Sequence, residues 1–330
     1  MSYKFKLSRR AARFRALTAA ASLIAAVACN PEEAVAPIVD GGATPETPAA
    51  PTIEAYTSAT APGIAFGDFH LPTSLFSSTR YSGSLQAASL STVYTKLNTA
   101  AKYGERLVLS MAGSRRYYTN SDGTFNMTKW KNRVSAFRGV ALGRYVSSGV
   151  LLGHYLVDEP QCLRCWGGKR ISASAMEEMA RYSKSIWPSL PTTVRAAASL
   201  LPLTTYRYLD FAWSQWVGPL HSPSARQTPA QFRDRQIAAA KARGLGLVFG
   251  MNYLNGGDGS SGRRGNAPTR WEMSAREVKN VGAVLAQASY ACALINWQYS
   301  TTFISRSGMT TALSYVSSAA RNRSRTSCKK

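Results

Sequence analysis

The sequence contains few acidic residues and very little histidine. Of its 330 residues, 17 are Asp or Glu and three are His, whereas 40 are Lys or Arg. Three histidines without ligand spacing give no reason to expect a metal site. No glycine-rich phosphate loop follows the first predicted strand, so the main signal of a nucleotide-binding fold is also missing. We therefore expect neither a metal nor another cofactor.

The basic surplus is spread along the chain without a recognition motif. The formal net charge is +23, but the bases form no aromatic-interleaved RNA motif, no helix-turn-helix and no zinc-finger spacing. Such a charge fits either a solvated basic surface or attraction to a polyanion such as an acidic polysaccharide. We expect no nucleic-acid partner, and we expect a monomer.

The first 29 residues have the pattern of an export signal. Residues 1–15 hold six bases and no acid, and residues 16–28 form a short apolar run that ends Ala-Val-Ala before Cys29. Such a run suits a signal peptide and is too short for a permanent membrane helix. Cys29 stands where the bacterial lipobox has its acylated cysteine, although Ala26 replaces the usual Leu. The sequence predicts a lipoprotein of the bacterial cell envelope, anchored to the membrane at Cys29. The alternative is cleavage after Ala28, which gives a periplasmic or secreted protein.

A proline-rich segment follows the export signal. Residues 30–60 contain five prolines, five acids and no Lys or Arg. Such a composition buries too little apolar surface to offset the entropy of ordering, and it predicts a disordered tether. We expect residues 61–320 to form one folded domain and residues 321–330 to form a disordered basic tail. No run after residue 28 is long and apolar enough for a membrane helix.

Four cysteines follow the export signal: Cys162, Cys165, Cys292 and Cys328. An even number of cysteines in an oxidising compartment indicates disulfides. The close pair could instead be a redox pair or half of a zinc site. A zinc site would need a second close pair, and a thioredoxin-like role would need a much smaller domain. We predict the disulfides Cys162–Cys165 and Cys292–Cys328.

Apolar runs alternate with helical periods along the domain. Near-continuous apolar strands separated by helices imply a parallel sheet covered on both faces, either an open doubly wound sheet or a closed barrel. Seven strands are visible, and an eighth is not. The predicted strands cover residues 64–70, 106–112, 150–157, 192–197, 208–213, 245–252 and 291–297. The predicted helices cover residues 85–103, 130–146, 172–186, 229–243, 274–287 and 309–321.

Polar and aromatic residues gather where nearly all of these strands end. Sites built from many strand ends are typical of the eightfold α/β barrel. We therefore predict a (β/α)8 TIM-type barrel whose eighth strand is short or irregular. The strand-end residues include Asp68, His70, Arg115, Tyr117, Asp158, Glu159, Arg195, Trp213, Gln215, Asn252, Trp297 and Tyr299.

One strand end carries a specific motif. Residues 153–160 read Gly-His-Tyr-Leu-Val-Asp-Glu-Pro, an apolar strand that ends in two carboxylates and a proline. This run resembles the strand-end motif of barrel-type glycoside hydrolases, in which the Glu before the Pro is the acid/base. The resemblance implies a carbohydrate substrate and Glu159 as the proton donor. It covers the order of elements over residues 63–320, while the motif itself is three residues long.

Glycoside hydrolysis by this chemistry needs a second carboxylate. The two carboxyl groups lie about 5 Å apart in a retaining enzyme and about 6.5–9.5 Å apart in an inverting one. In the retaining barrel enzymes the nucleophile is a Glu at the end of the penultimate strand, where this chain has Asn252. Residues 61–330 contain 12 acids. Six of them lie on helices, helix caps, loops or the entering ends of strands and are set aside: Glu105, Asp122, Glu177, Glu178, Asp234 and Glu277. Besides Glu159, the candidates that remain are Asp68, Asp158, Asp210, Asp258 and Glu272.

These candidates leave several alternatives open. Strand alternation points Asp158 and Glu159 to opposite sides, so we expect one of them to reach the pocket. Asp210 lies within a predicted strand, with a base such as Arg195 as its partner. Asp258 lies in a Gly-rich loop and is either a carboxylate that swings in or a turn residue.

Two functions follow from these observations. The first is an exported glycoside hydrolase in which Glu159 is the proton donor and Asp68, Asp158, Asp210 or Asp258 is the second carboxylate. The second, motivated by Asn252, is a non-catalytic carbohydrate-binding or structural lipoprotein on a degenerate barrel. A second carboxylate within about 10 Å of Glu159 in one cleft would favour the enzyme. The predicted sugar contacts are His70, Arg115, Tyr117, Arg195, Trp213, Gln215, Asn252, Trp297 and Tyr299.

Overall fold

The computed structural model describes residues 60–218 and 227–329. Within them, eight parallel strands form a closed barrel in which each strand pairs with the next and the eighth pairs with the first. This arrangement confirms the (β/α)8 barrel. The predicted signal peptide, Cys29 and the predicted tether up to residue 59 lie outside the described residues. The strands are β1 (Ala65–Phe69), β2 (Gly83–Ala87), β3 (Arg106–Ser110), β4 (Leu151–Asp158), β5 (Thr192–Arg195), β6 (Phe211–Trp216), β7 (Gly246–Met251) and β8 (Ala291–Asn296).

Helices connect the strands and surround the barrel. Two of them begin with complete capping boxes, Thr228 with Gln231 and Ser274 with Glu277, in which side chains and backbone N–H groups satisfy each other. None of the helices in the described ranges has the length and apolar content needed to cross a membrane. The helices are α1 (Val93–Tyr103), α2 (Met127–Ser135), α3 (Gly143–Ser147), α4 (Ala173–Ile186), α5 (Pro229–Lys241), α6 (Ala275–Ala286), α7 (Thr301–Ile304) and α8 (Met309–Arg321).

Side chains alternate between the two faces of the barrel wall. Inward residues such as Phe69, Val108 and Trp213 fill the barrel interior. Outward residues such as Phe66 and Leu247 pack against the helices. Because the interior is a packed core and not a channel, a binding site has to lie at an open end of the barrel.

The strand that the sequence did not reveal is β2. The predicted helix over residues 85–103 begins too early, since α1 starts at Val93. The outward residues of β2 are polar: the Ser84 hydroxyl donates to the carbonyl of Asp68, and the Gln86 amide donates to the carbonyl of Leu71. Such a strand lacks the continuous apolar run that marks a buried parallel strand.

Two other element bounds differ from the predictions. The predicted helix over residues 130–146 is two helices, α2 and α3, because buried Val140 and Leu142 continue the apolar spacing through the turn between them. The predicted strand over residues 208–213 is β6, which begins three residues later, at Phe211. This shift moves Asp210 out of the strand interior.

Both predicted disulfides, Cys162–Cys165 and Cys292–Cys328, are present. The second bond joins β8 to the C-terminal tail. We expected this tail to be disordered, but Cys328 is 5 % exposed and packs with the inner barrel residues. Arg323 holds the segment before it by donating to the carbonyls of Ala286 and Ser289. The tail therefore packs at the end of the barrel where the strands begin.

Candidate functional site

Strand β4 brings two adjacent carboxylates to the end of the barrel where the strands finish. Asp158 is the last residue of β4, and Glu159 follows it with φ 43°, a left-handed conformation that non-glycine residues rarely adopt. This turn ends the strand alternation, and both carboxylates contact the guanidinium of Arg195. Nη2 of Arg195 lies 2.8 Å from Oδ2 of Asp158 and 3.6 Å from Oε1 of Glu159.

Arg195, the last residue of β5, forms the centre of this cluster. Its Nε and Nη2 donate to the two oxygens of Asp158 at 2.5 and 2.8 Å, and its Nη1 donates to Oε1 of Gln215 at 2.8 Å. Only 9 % of the Arg195 side chain and 19 % of the Asp158 side chain are exposed. The pair is therefore a largely buried, bidentate ion pair, in which neither charge can be removed without leaving the other uncompensated.

Four aromatic rings lie beneath the ion pair. The ring of Phe69 has its centre 4.6 Å from that of Trp213, 5.1 Å from that of Trp297 and 6.2 Å from that of Tyr155. The guanidinium carbon of Arg195 lies 5.0 Å from the ring centre of Trp297, within range of a cation–π contact. This aromatic floor excludes water from below and raises the cost of an unpaired charge above it.

The two carboxyl groups have opposite pKa shifts. Burial favours the neutral form of Asp158, but the charge of Arg195 and its hydrogen bonds outweigh burial and hold the pKa of Asp158 below its usual range. Burial also acts on Glu159, where it prevails over the attraction of Arg195 and, with the negative charge of Asp158, raises the pKa. Carboxyl pairs whose pKa values are pushed apart in this way are used for acid–base chemistry in enzymes.

A cavity of about 300 Å³ opens beside Glu159, where β4, β5 and β6 end. Glu159 is the only acid among the described residues that line it. Amide, guanidinium and aromatic groups together suit the hydroxyl groups and C–H faces of a sugar, and the volume suits a small ligand or part of a glycan. These groups belong to Gln161, Gln215 and Gln236, to Arg195 and Arg235, and to Trp213, Trp216 and Phe232.

The structure brings only part of the predicted site to this cavity. Glu159, Arg195, Trp213 and Gln215 line it. Trp213 is fully buried and donates its indole N–H to the carbonyl of Ile295, so it is part of the floor and not an exposed platform.

Three lining residues on α5 are not among those predicted from the sequence: Phe232, Arg235 and Gln236. Spacings of three and four residues place them on one face of the helix. In a (β/α)8 barrel, a helix begins near the end of the strand that precedes it. The position of the helix start, combined with the three- and four-residue spacing, would have identified these residues from the sequence.

Asp68, a predicted candidate for the second carboxylate, does not point into the barrel. The inward positions of β1 are Ala65 and Phe69, so Asp68 faces the helix layer, where it is 0 % exposed. Its Oδ1 accepts from the amide of Asn296 at 3.3 Å. Burial raises the pKa of Asp68 to about 7. Strand alternation therefore places this carboxyl group behind the barrel wall, and the structure does not bring it to the cavity beside Glu159.

Asp210 lies at the opposite end of the barrel from Glu159, just before β6. Its Oδ2 accepts from the backbone N–H of Thr192, the first residue of β5, at 2.8 Å and pairs with Nζ of Lys184 at 2.7 Å. The expected Arg195 partner is wrong, because Lys184 takes that place, and the structure does not bring Asp210 to the cavity beside Glu159. The carboxylate instead ties the starts of two strands to the end of α4.

Asp258 and Glu272, in the segment between β7 and α6, belong to local structure. Asp258 is exposed, and its Oδ1 accepts from the backbone N–H of Ser260 at 2.8 Å, so the turn-residue alternative is correct. Glu272 pairs with Arg306 at 3.4 Å. Among the described residues, Asp158 is therefore the only other carboxylate beside Glu159 in this cluster.

Two more predicted sugar contacts lie next to the Arg195 centre without lining the cavity. The guanidinium of Arg115 lies 4.9 Å from the ring centre of Trp166. Its charge helps to lower the pKa of Asp158 and partly opposes the rise in the pKa of Glu159 that burial causes. His70 is exposed and has its ring edge-on to Trp297 at 6.3 Å. Arg115 and His70 therefore border the cluster from two sides.

Three other predicted contacts have structural roles. The ring of Tyr117 lies 4.4 Å from the guanidinium carbon of Arg133. The side-chain oxygen of Asn252 accepts from the backbone N–H of Asn255 at 3.0 Å, which closes the turn after β7. The backbone N–H of Tyr299 donates to the carbonyl of Phe69 at 3.1 Å. None of the three is among the described residues that line the cavity.

One group of potential metal ligands occurs in the described part of the chain. Donor atoms of Glu159, Cys162 and Cys165 lie within 4.8 Å of one another. The two sulfur atoms are joined in a disulfide, however, and a disulfide offers no thiolate to a metal. The bond instead closes the turn that follows Glu159.

Comparison with known proteins supports the fold at low sequence identity. A glycoside hydrolase candidate from Parabacteroides distasonis superposes with a TM-score of 0.51 and 10 % identity, covering 82 % of this chain and 96 % of that one. A β-1,4-D-mannanase from Cryptopygus antarcticus has a TM-score of 0.47 and 11 % identity over 82 % and 96 %. An endocellulase from Pyrococcus horikoshii has a TM-score of 0.47 and 11 % identity over 79 % and 92 %.

No protein-family model and no curated protein sequence matches the chain. The chain is a (β/α)8 barrel, and the predicted resemblance to barrel-type glycoside hydrolases is confirmed for the fold. At identities of this level the likeness does not extend to substrate or activity. Those have to be argued from the site.

Proposed function

We propose that this protein binds carbohydrate in the cavity beside Glu159 and does not cleave it. The observation that carries this proposal is that Glu159 is the one acid among the described residues that line a cavity of amide, guanidinium, aromatic and small apolar groups. Aromatic faces pack against sugar C–H surfaces, and amide groups both donate to and accept from hydroxyl groups. The basic surplus of the chain favours glycans that carry acidic groups.

The position of the other carboxylates supports binding over hydrolysis. Two-carboxylate hydrolysis needs a nucleophile or a base that can reach the sugar or an attacking water. Asp158 is the nearest candidate, and both of its oxygens are engaged by Arg195. The penultimate strand is followed by Asn252, whose side chain is held in a turn. Residues 219–226, between β6 and α5, contain no acid in the sequence.

A second candidate function is glycoside hydrolysis with Glu159 as the proton donor. The opposite pKa shifts of Asp158 and Glu159 favour it, because a carboxyl group with a raised pKa retains its proton for donation. In this case Asp158 would be the second carboxylate and would have to be released from Arg195 when substrate binds.

We further propose that the protein acts outside the cytoplasm, anchored at Cys29. The two disulfides support export, since such bonds persist in oxidising compartments. An envelope location would expose the cavity to cell-surface or extracellular glycans. Mass spectrometry of the mature N-terminus from native membranes would distinguish acylation of Cys29 from cleavage without a lipid.

The decisive experiment measures retention and cleavage on the same panel of neutral and acidic polysaccharides. Binding predicts retention without release of reducing ends, and it predicts that Gln215→Ala lowers retention. The variant Glu159→Gln keeps the shape of the side chain and should retain the glycan. Asp234→Asn changes an exposed acid that pairs with its neighbour Arg233, and it serves as the matched control.

The two candidate functions give different results in this assay. Release of reducing ends by the parent, abolished in Glu159→Gln but not in Asp234→Asn, would refute pure binding and favour the hydrolase. Failure of the parent both to retain and to cleave any member of the panel would refute a carbohydrate site in this cavity.

A further inference from the structure

The end of the barrel opposite the cavity is basic. Five exposed bases lie there, on the last turns of α1 and α5, on the segment that leads into β6 and on the C-terminal tail; we refer to them as the basic end. They are Lys102, Arg207, Lys241, Arg325 and Lys329. In the described segments that lead into the eight strands and in residues 322–329, the acids are Glu105 and Asp210, and both are buried. Glu177 of α4 is half-buried, and its carboxylate accepts from the backbone N–H of Arg207 at 2.9 Å. These segments place no exposed carboxylate beside the other four bases.

Helix dipoles explain only part of this pattern. Lys102 and Lys241 lie in last helical turns, where a positive charge favours the negative end of the helix dipole. Arg207, Arg325 and Lys329 lie outside helices, so this stabilisation does not account for them. The five bases therefore have no common role in local structure. What they have in common is their position at this end of the barrel.

The chain enters the domain at this same end. Nη2 of Arg325 donates to the carbonyls of Thr60 and Ala61 at 3.0 Å, and the N–H of Ala61 donates to the carbonyl of Gly104 at 2.9 Å. Thirty residues separate Cys29 from Thr60, and a coil of that length spans roughly 30 Å. A membrane anchor at Cys29 would therefore hold the basic end within reach of lipid headgroups.

Aromatic residues accompany two of the bases. Tyr103 is 44 % exposed, and Nζ of Lys102 lies 5.2 Å from its ring centre. Nζ of Lys241 lies 5.4 Å from the ring centre of Tyr290. Tyrosine beside lysine is the combination that is enriched where proteins meet the headgroup region of a bilayer.

We propose that the basic end docks on a membrane surface rich in anionic phospholipid. Docking in this orientation leaves the cavity at the other end of the barrel facing away from the membrane. The proposal is independent of the carbohydrate function, and the surface acts whether or not Cys29 is acylated. Its strength should fall with salt, because exposed charges are screened over about 10 Å at 0.1 M ionic strength.

The test is sedimentation of the full chain carrying Cys29→Ser with phosphatidylcholine vesicles that contain either no or 30 % phosphatidylglycerol. We expect binding to the anionic vesicles alone, and weaker binding in 0.5 M than in 0.05 M NaCl. The variant Lys102→Glu/Lys241→Glu/Lys329→Glu should bind at least about 100-fold more weakly, since each base near an anionic surface contributes about fivefold to affinity. Arg325 is left unchanged because it holds the chain at Thr60.

The matched control reverses three exposed bases near the cavity end, Lys169→Glu/Arg170→Glu/Arg263→Glu, and should bind within about threefold of the parent. Equal loss in both variants, or no loss in the first, would overturn the proposal. So would loss of acidic-polysaccharide binding in the first variant while its vesicle binding stays unchanged. The five acids of residues 30–60 could also occupy the basic end. Vesicle binding that appears only after those acids are changed to amides would identify them as its occupant and overturn the proposal.

If circular dichroism shows that the triple Glu variant does not fold, two measurements on the parent still test the docking surface. Salt-insensitive binding, or equal binding to both kinds of vesicle, would refute an electrostatic docking surface.

Discussion

Replacing Arg195 with Met should destabilise the protein because it leaves Asp158 buried without a counter-charge. Arg195 supplies two hydrogen bonds and the nearest positive charge to that carboxylate. Met retains much of the apolar stem over the Trp297 ring, so the change mainly removes the charge and its hydrogen bonds. The variant therefore isolates the electrostatic contribution of the pair.

The expected loss can be placed within a known range. Breaking a buried ion pair from one side costs about 3–5 kcal/mol. The side chains of Arg195 and Asp158 are 9 % and 19 % exposed, so some water reaches the pair and we take the lower limit, about 3 kcal/mol at pH 7. For a domain of this size that corresponds to a fall in melting temperature of roughly 5 °C.

The stability that the Asp158–Arg195 pair contributes should depend on pH, and the pKa shift of Asp158 gives the direction. In the parent the pKa of Asp158 is depressed, so the pair stabilises the fold above the unfolded pKa of about 3.9 and is lost as pH falls through the folded pKa. In the variant, burial without Arg195 favours protonation, and the penalty should shrink as pH falls towards 4. Urea unfolding of the parent and the variant at pH 7 and pH 4 measures the loss of stability at each pH.

The double variant Asp158→Asn/Arg195→Met is the control. It removes both charges and should recover most of the stability lost in the single variant, because no unpaired charge remains. A single variant that unfolds within about 0.5 kcal/mol of the parent at pH 7 would refute the argument. A penalty of equal size at pH 4 and pH 7 would show that lost packing is the cause.

Three further predictions concern groups away from the cavity. The folded pKa of Asp68 is about 7 and lies above its unfolded value, so the parent should lose stability as pH rises from about 4 to 7, by up to about 4 kcal/mol. Asp68→Asn should flatten that slope in urea unfolding, and an unchanged slope would contradict the shift. Asp210→Asn should cost about 1–3 kcal/mol through its bonds to Thr192 and Lys184 and leave glycan retention unchanged; reduced retention would contradict its placement. Cys292→Ser/Cys328→Ser should cost about 4 kcal/mol, since the bond closes a 36-residue separation, whereas Cys162→Ser/Cys165→Ser should cost much less. Calorimetry of the two double variants compares them, and equal losses would refute the loop-length argument.

The fold was predictable where strands are buried on both faces. Runs such as residues 245–252 and 291–297 are apolar because both sides of a parallel strand are covered, and both are strands in the structure. β2 escaped prediction because its outward positions are polar: Ser84 donates to the carbonyl of Asp68 in β1, and Gln86 donates to that of Leu71 just after β1. No local pattern reveals that kind of tertiary hydrogen bonding.

The candidate site was predictable only where position along a strand decides the direction of a side chain. Glu159 and Arg195 follow from strand ends, and both line the cavity. Asp210 was misplaced because a three-residue error in the start of β6 moved it from one end of the barrel to the interior of a strand. Asp68 was misplaced because a strand-end position does not tell which side of the wall a residue faces. Alternation from the inward Phe69 would have decided that question.

The ion pair that fixes Arg195 also argues against hydrolysis by Asp158. For Asp158 to attack a sugar or activate water, its oxygens would have to leave a guanidinium that is itself held by Gln215 and the Trp297 ring. Releasing them would leave a buried charge on each side of the broken pair, at the cost that destabilises Arg195→Met. Glu159 has no such restraint: its nearest contact with Arg195 is 3.6 Å, and its raised pKa favours the protonated form. A carboxyl group with a raised pKa beside a fixed guanidinium suits the donation and orientation that the proposed glycan binding needs, and among the described residues the other carboxylate of this cluster, Asp158, is held in its ion pair.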